Sequence, residues 1–176
     1  MCGFAATNYS DPIISNKHCQ NRGPDMTTAE KIRGVYYLHN LLHITGELTP
    51  QPLIKDDVVC VFNGEIYNYT SFGNYNSDSE CIIDLYNTKG EHFVKELDGE
   101  FALCLIDYKK QKLIISVDTF SCKPLWYEMR DDKFCIASYN SQLHGLGFKN
   151  GKKLKSNTTL VSVSYTHLTL PTTPYV

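Results

Sequence analysis

Met1-Cys2-Gly3-Phe4 opens the chain and decides how the rest of the sequence is interpreted. Removal of the initiator methionine, which is common when the second residue is small, leaves Cys2 as the first residue. Its thiol and its α-amine then belong to one residue, and an amine that titrates near ~8 can act as the base for that thiol. The alternative is a small buried cysteine at the start of a strand. The other segments of the chain decide between the two.

Composition indicates a globular protein of one domain. The chain has 176 residues, of which 42% are hydrophobic, and this is enough for a substantial core. Its 17 basic and 19 acidic side chains leave a net charge of −2 without a block of like charge, so no nucleic-acid or anionic-membrane partner is expected. No apolar run approaches the ~20 residues of a transmembrane helix, and no signal-peptide layout opens the chain. A soluble, cytoplasmic protein is therefore expected.

The seven cysteines are odd in number and widely spaced, without a Cys-x-x-Cys pair. No Cys/His cluster has the spacing of metal ligands, so neither a disulfide framework nor a metal site is expected. Cys60, Cys104 and Cys135 lie in apolar runs and are predicted to be core thiols. The histidines pair with no cysteine or carboxylate in the sequence and are interpreted as structural.

Short runs of β-branched and aromatic residues, separated by turn signals, predict strands of largely buried antiparallel sheets. The predicted strands are 2–7, 35–39, 58–62, 101–107, 113–118, 125–128 and 134–138. A helix is predicted from Ser77 or Asp78 to Lys89-Gly90, a second over 91–97, and a short helical turn over 28–34. Two packed sheets flanked by helices are the simplest arrangement of these elements.

Three polar segments carry side chains that could do chemistry. Asn63-Gly64-Glu65 follows the run 58–62, so an amide, a flexible backbone N–H and a carboxylate emerge where a strand is predicted to end. These groups suit an oxyanion hole beside a cation-binding carboxylate, although Asn-Gly alone favours a hairpin turn. Asp78 opens the main helix, where it could be only a cap. Lys123 is interpreted as a surface or loop contact.

Seven segments, in this order, resemble the class II glutamine amidotransferase domain, and most closely the glutaminase half of asparagine synthetase. They are Met1-Cys2-Gly3-Phe4, Arg22-Gly23-Pro24-Asp25, Gln51-Pro52-Leu53, Asn63-Gly64-Glu65-Ile66-Tyr67-Asn68, Ser77-Asp78, Leu97-Asp98-Gly99-Glu100-Phe101-Ala102 and Lys123-Pro124-Leu125. The resemblance implies an N-terminal-nucleophile fold of the α+β class. That fold is a four-layer αββα sandwich of two mainly antiparallel sheets, here spanning 2–155, with glutamine as the substrate.

The resemblance also implies a role for each of five residues. Cys2 would be the nucleophile that attacks the glutamine carboxamide, with its own α-amine as the proton relay. The side-chain amide of Asn63 and the N–H of Gly64 would hold the oxyanion, where one lost donor costs ~3 kcal/mol. Glu65 and Asp78 would bind the α-ammonium group of the substrate. Ammonia would leave, and water would release glutamate from the thioester.

Leu41 departs from the family pattern. The family has His-x-Arg-Leu-x-Ile where this chain has His39-Asn40-Leu41-Leu42-His43-Ile44. Leucine cannot make the bidentate ion pair that anchors the glutamine α-carboxylate, and losing such a pair weakens binding by roughly 1.5–3 kcal/mol. The residues considered as substitutes are Arg22, Arg33, Lys55 and His43.

The phosphate-binding sequence Ser-Gly-Gly-x-Asp-Ser of the family's synthetase domain has no match in the chain. No cofactor is therefore expected in this domain, and ATP and magnesium would be needed only by a synthetase domain supplied elsewhere. This acceptor domain is expected on another polypeptide or beyond an interrupted C-terminus, and a homodimer stays open. Residues 160–176 are rich in threonine and uncharged, and they are predicted to be a disordered or non-native tail.

Two other functions stay open at this point. The first is a catalytically weak member of the same fold that serves as a binding or regulatory subunit, which the leucine at position 41 favours. The second is an amidohydrolase that acts on another amide, which assays with several amides would separate from a glutaminase. A cysteine protease is disfavoured because no motif places a histidine as its base.

Overall fold

The computed structural model describes residues 1–163 and the backbone of residues 167 and 168. Within this part of the chain, twelve strands form two six-stranded sheets, and neighbouring strands run antiparallel. The helices are short, and none of those in the described residues has the length and apolar character needed to cross a membrane.

The first sheet surrounds the N-terminal strand. In spatial order it consists of β10 (Lys152–Lys153), β8 (Trp126–Arg130), β9 (Lys133–Ala137), β1 (Gly3–Thr7), β3 (Val35–Leu41) and β2 (Met26–Ile32). Gly3 lies opposite Asn40 of β3, and Ala5 lies opposite Ala137 of β9. Because β1 is paired on both sides, the position of the preceding residue, Cys2, is fixed by two neighbouring strands.

The second sheet is built on one long strand pair. In spatial order it consists of β12 (His167–Leu168), β11 (Thr158–Val163), β7 (Lys112–Val117), β6 (Gly99–Asp107), β5 (Val58–Ile66) and β4 (Leu53–Lys55). β5 and β6 pair from Val58 opposite Asp107 to Ile66 opposite Gly99. The chain between them carries the main helix, α1 (Cys81–Lys89).

Apolar side chains form three layers of core. Phe4 of β1 packs with Val61 of β5 between the two sheets. Ile82 of α1 packs on the outer face of the second sheet, and Leu143 of α2 (Asn140–Gly145) packs on the outer face of the first. Cys60, Cys104 and Cys135 are fully buried, as predicted. The four-layer αββα sandwich predicted from the sequence is therefore confirmed.

Most of the predicted elements are confirmed with small changes in their bounds. Each of the seven predicted strands overlaps an observed strand. The main helix begins with a 3-10 turn at Asp78–Glu80 and ends before Gly90, whose φ of +64° suits glycine at a helix end. The second predicted helix is a 3-10 helix over Gly90–Glu96. Both α2 and a 3-10 helix over Pro12–His18 were missed.

Residues 28–34 do not form the predicted helical turn. Residues 28–32 belong to β2, which pairs with β3 from Met26 opposite Leu41 to Ile32 opposite Val35. β2 is an edge strand with mostly exposed side chains, so it lacks the apolar run that identifies buried strands. The prediction was wrong because pairing with β3, rather than local propensity, makes this segment extended.

The predicted tail does not begin at residue 160. Leu160 and Val161 are buried in β11, which pairs with β7 so that Leu160 lies opposite Ile115. The expectation of disorder is therefore wrong for 160–163, whereas the expectation of a non-native sequence stays a prediction. Residues 164–166 and 169–176, to which it also applied, lie outside the described residues.

Candidate active site

Strands of both sheets bring the predicted site residues together. Cys2 directly precedes β1, and Leu42 directly follows β3 in the same sheet. Asn63-Gly64-Glu65 lie near the end of β5, and Asp78 begins the 3-10 turn before α1. All of the predicted residues line one or both of two adjoining cavities around Cys2.

The first cavity, here called the cleft, is open to solvent, and its volume of about 360 Å³ includes the solvent at its mouth. Its lining includes Cys2, Leu41, His43, Glu47, Gly64, Glu65 and Asp78. The second, here called the side cavity, has a volume of about 310 Å³ that likewise includes solvent at its mouth. Its lining consists of Met1, Cys2, Leu42, Ile44, Asn63, Gly64, Glu65, Glu100 and Lys123. Cys2, Gly64 and Glu65 line both cavities, so a group bound in one lies next to the other.

The Cys2 thiol is half-buried between these cavities. Its Sγ atom accepts a hydrogen bond from the Leu42 N–H, at 3.4 Å from the nitrogen. The same atom lies 3.5 Å from the Leu42 carbonyl oxygen. Burial raises the pKa of the thiol, while the Leu42 N–H and the nearby N-terminal amine oppose this shift. The thiol is thus held mainly protonated at neutral pH and needs a base to become a nucleophile.

Asn63 and Gly64 lie within β5 and not in a turn or beyond the strand end. Asn63 pairs with Ala102, Gly64 with Phe101, and the strand continues to Ile66. The hairpin-turn alternative is therefore wrong, and so is the expectation that β5 ends at residue 62. The pairing with β6 overrides the turn preference of Asn-Gly, because the ladder bonds the backbone groups of β5 that face β6 and keeps the segment extended.

The Asn63 side chain has no hydrogen-bond partner among the described residues. It is fully buried, yet neither its Oδ1 nor its Nδ2 atom is bonded. Burying an amide without partners costs about 1–3 kcal/mol, so such a group marks a site where a partner is expected to bind. Asn63 lines the side cavity beside Cys2, so its unpartnered amide lies next to the space that a bound group would occupy.

Gly64 is required by close packing. A Cβ atom at this position would lie 2.1 Å from the carbonyl oxygen of Glu100 and 2.7 Å from the Cα atom of Phe101. Any other residue would push β5 and β6 apart, because both contacts are with backbone atoms. Gly64 lines both cavities beside Cys2, so its backbone borders the space that a bound molecule would occupy.

Two carboxylates lie beside the nucleophile. The Thr45 hydroxyl donates a hydrogen bond to Glu65, and the Ile66 N–H donates one of 2.8 Å to Oδ2 of Asp78. Asp78 is 6% exposed, and burial raises the pKa of its carboxyl to about 6, with the charge of Glu65 acting in the same direction. Two adjacent carboxylates in such a site favour binding of a cation.

Asp78→Asn is expected to raise the free energy of unfolding by about 1–3 kcal/mol near pH 8, because it removes a buried charge and keeps an oxygen for the Ile66 N–H. A raised folded-state pKa means that the wild type gains stability as the pH falls through 6. The difference is therefore expected to vanish near ~4, the ordinary pKa of aspartate. Urea denaturation at both pH values measures it, with the exposed Asp132→Asn as control. A destabilised variant near pH 8 would contradict the argument.

The four residues considered as substitutes for the arginine of the family pattern occupy different positions relative to the cleft. Arg33 pairs with Asp57 at 2.5 Å, and Lys55 pairs with Asp84, and neither lines the cleft or the side cavity. Arg22 stacks on a tyrosine ring outside both linings. Of the four, the cleft contains only His43.

His43 and the loop that follows it form one rim of the cleft. The His43 N–H donates to Oδ2 of Asp25 at 2.8 Å, and its Nε2 atom lies 2.8 Å from the Gly46 carbonyl oxygen. Farther along, the Glu47 N–H bonds the Asn76 carbonyl oxygen at 2.9 Å. These bonds fix the rim and hold the His43 ring against the Gly46 carbonyl.

The loop before β2 supports the strand that carries Leu41. A Cβ atom on Gly23 would lie 2.1 Å from the Asn40 carbonyl oxygen, so this position also requires glycine. The Asn40 side chain is fully buried and bonds Asn16 and Thr27, each at 2.8 Å. The Arg22-Gly23-Pro24-Asp25 segment thus contributes by packing and by the Asp25 contact with the rim.

Lys123 lies in a loop, as predicted, but it is not the surface contact that the sequence analysis also allowed. It is 5% exposed, lines the side cavity and forms an ion pair of 2.7 Å with Glu100. The preceding loop is held by Asp118, whose carboxylate accepts hydrogen bonds from the N–H groups of Phe120 and Cys122. Glu100 lies opposite Glu65 in the sheet, so Lys123 offsets the repulsion between two facing carboxylates. A lysine in a predicted loop gives no sequence signal of such burial.

Within residues 1–163, no group of three or more His, Cys, Asp or Glu side chains is arranged to hold a metal ion. The groups that the site does present are a thiol, an unpartnered amide, an open glycine backbone and paired carboxylates. Together they can add a nucleophile to an amide carbonyl, stabilise the resulting oxyanion and bind a cation nearby.

The sequence of this chain is similar to those of several glutamine-hydrolysing asparagine synthetases. The glutamine-hydrolysing asparagine synthetase of Gallus gallus is 32% identical over 155 residues, which cover 76% of this chain and 28% of the relative. That of Zea mays is 34% identical over 146 residues, covering 72% of this chain and 25% of the relative. The chain spans less than a third of the length of the curated relatives that it matches.

Solved structures share the fold at low identity. The glutamine phosphoribosylpyrophosphate amidotransferase of B. subtilis superposes with a TM-score of 0.68 at 18% identity, over 91% of this chain and 47% of that one. The family model described as a glutamine amidotransferase domain matches residues 1–174. The chain therefore belongs to the family of glutamine amidotransferase domains.

Proposed function

We propose that the chain hydrolyses glutamine to glutamate and ammonia through a thioester on Cys2. The observation that carries the proposal is the buried, unpartnered amide of Asn63 beside the Cys2 thiol. A buried amide without a partner is costly, and an oxyanion formed at Cys2 is the partner that would repay that cost. Membership of the family and the asparagine synthetase relatives support glutamine as the amide.

The α-amine of Cys2 is proposed as the base. Met1 lines the side cavity together with Lys123, so removing Met1 would leave the new amine of Cys2 facing that cavity. The amine takes the thiol proton, and the thiolate attacks the carboxamide carbon. Asn63 and the Gly64 N–H donate to the resulting oxyanion, with a lost donor worth ~3 kcal/mol.

The tetrahedral intermediate then collapses. The amine returns the proton to the amide nitrogen, so the C–N bond breaks and ammonia leaves the thioester behind. Water, deprotonated by the same amine, attacks the thioester and releases glutamate and the free thiol. Glu65 and Asp78 hold the α-ammonium group during both steps. The balance is glutamine plus water to glutamate plus ammonia, and no cofactor takes part.

The ammonia is proposed to serve an acceptor domain of the asparagine-synthetase type. The relatives of that name extend well beyond the matched region, since this chain covers about a quarter of each. Such a domain would bring its own ATP and magnesium, on another polypeptide or on a longer form of this one. Whether the chain pairs with a second copy is tested by its mass in solution.

Intact-mass spectrometry before and after incubation with a diazo-ketone analogue of glutamine tests the proposal. We expect a protein without Met1 that gains one adduct, mapped to Cys2, and we expect glutamine to protect it. Retention of Met1, or an unmodified Cys2, would contradict it. The result would then favour the alternative of a weakly active binding subunit, which the absence of lysine and arginine from the cleft lining also favours.

A further inference from the structure

The cleft has an unusual balance of charge for a site that binds an amino acid. Its lining contains three carboxylates, Glu47, Glu65 and Asp78, and neither a lysine nor an arginine. The His43 ring is held at the rim, because its Nε2 atom lies 2.8 Å from the Gly46 carbonyl oxygen. A ligand in the cleft therefore meets a net negative field, which attracts a cationic group and repels an anionic one.

Because of the geometry of an α-amino acid, this negative field favours a ligand whose α-carboxylate is blocked over one whose α-carboxylate is free. Its ammonium nitrogen and its carboxyl carbon are attached to the same atom, about 2.5 Å apart by standard bond lengths. If Glu65 and Asp78 hold the ammonium group, a free α-carboxylate must lie within a few ångströms of the same two carboxylates. Blocking the carboxylate as an amide removes this repulsion and leaves the attraction.

A second observation, the unpartnered side chain of Asn63, supports an amide as the ligand. Asn63, fully buried and without a partner for Oδ1 or Nδ2, lines the side cavity that shares Cys2, Gly64 and Glu65 with the cleft. A carboxamide bound at Cys2 would thus lie between the free amide and the acidic lining. The rim residues Ile44 and Glu47 are exposed, so the ligand's α-carboxyl side has room to extend outward.

We infer that the cleft selects amides that carry an α-ammonium group and no free α-carboxylate, and that its substrate is glutamine at the N-terminus of a peptide. The inference rests on the proposed function, since it uses the same nucleophile and the same oxyanion donors. Hydrolysis would convert an N-terminal glutamine into glutamate and release ammonia, with water as the only co-reactant. Leu41 and Glu47 then determine the specificity. Leu41 provides no positive charge for an α-carboxylate, and Glu47 adds a negative charge that repels one.

The test compares three amides with the full chain lacking Met1. They are free glutamine, glutamine α-N-methylamide and the peptide Gln-Gly-Gly, with hydrolysis of the side-chain amide followed by mass spectrometry. Spontaneous cyclisation gives a product of different mass, and Cys2→Ala supplies the blank. We expect kcat/KM for both blocked substrates to exceed that for free glutamine at least tenfold.

Each other outcome has a definite meaning. Equal or faster turnover of free glutamine overturns the inference and leaves the proposed function standing. Turnover of the methylamide alone overturns the assignment to peptides but keeps the preference for a blocked carboxylate. No turnover of any of the three overturns the proposed function, and the inference with it.

Two variants test the residues named. Leu41→Arg is expected to raise kcat/KM for free glutamine at least tenfold relative to Gln-Gly-Gly, whereas Leu41→Met, which adds no charge, is expected to leave the ratio unchanged. Because Leu41 is buried, Glu47→Gln on the exposed rim provides a change that keeps the core intact. It is expected to shift the ratio in the same direction, by about threefold, and Glu30→Gln on β2 is the control. An unchanged ratio in both test variants overturns the electrostatic explanation.

Discussion

Cys2→Ala is expected to lower the rate of ammonia release by at least ~10⁴-fold, because no other group in the cavities can form the thioester. The fold is expected to survive, since the thiol makes only two long contacts with Leu42, at 3.4 and 3.5 Å. Their loss should change the free energy of unfolding by about 1 kcal/mol or less. Coupled assays of ammonia and glutamate measure the first effect, and urea denaturation measures the second.

Cys122→Ala is the matched control for this experiment. Cys122 is an exposed free cysteine that lines neither cavity, so its loss is expected to leave the rate unchanged. Equal rates for the wild type and Cys2→Ala would remove Cys2 from the chemistry. An unfolded Cys2→Ala variant would instead show that the thiol supports the start of β1, which is the structural alternative considered from the sequence.

Burial explains which strands could be predicted from the sequence. β5 and β6 are covered on both faces, with Val61 facing the other sheet and Phe62 facing the α1 layer. Such strands are continuous apolar runs, and they were found. β2 is exposed at a sheet edge and reads Met-Thr-Thr-Ala-Glu-Lys-Ile, which has no strong period. Its conformation depends on β3, which local propensity does not record.

The candidate site was predictable in its residue types but not in its contacts. Cys2, Asn63, Gly64, Glu65 and Asp78 were identified through the resemblance to class II glutamine amidotransferases. They line two adjoining cavities, and their roles stay a prediction. Their partners could not be foreseen, because each partner comes from a distant part of the chain. The same holds for the burial of Lys123 against Glu100, and for the absence of Arg33 and Lys55 from the cavity linings.

The contrast between Asn63 and Asn40 shows what a sequence cannot reveal about a buried amide. Both asparagines are fully buried in strands that are next to the edge strand, one in each sheet. The Asn40 side chain bonds Asn16 and Thr27, whereas the Asn63 side chain bonds none of the described residues. The first arrangement stabilises the fold. The second leaves hydrogen-bonding capacity for a reaction intermediate, at a cost to stability.

Asn63→Ala is therefore expected to lower kcat for glutamine hydrolysis by about 10²–10³-fold, the usual effect of removing one oxyanion donor. Its free energy of unfolding is expected to stay within about 1 kcal/mol of the wild type, because relief of an unpaired buried amide offsets the small cavity left behind. Asn40→Ala, the same substitution in the other sheet, is expected to destabilise by about 1–3 kcal/mol, since it leaves Asn16 and Thr27 without their partner.

Steady-state kinetics and urea denaturation of the two variants decide between two roles for Asn63. If Asn63→Ala destabilises the protein as much as Asn40→Ala, the Asn63 amide has a structural partner, and its availability to an oxyanion is refuted. If its kcat falls less than tenfold, the oxyanion is held elsewhere, for example by the Gly64 N–H alone. A large loss of rate with unchanged stability is expected if the hydrogen bonds of the Asn63 amide form during the reaction, because those bonds are then absent from the resting fold.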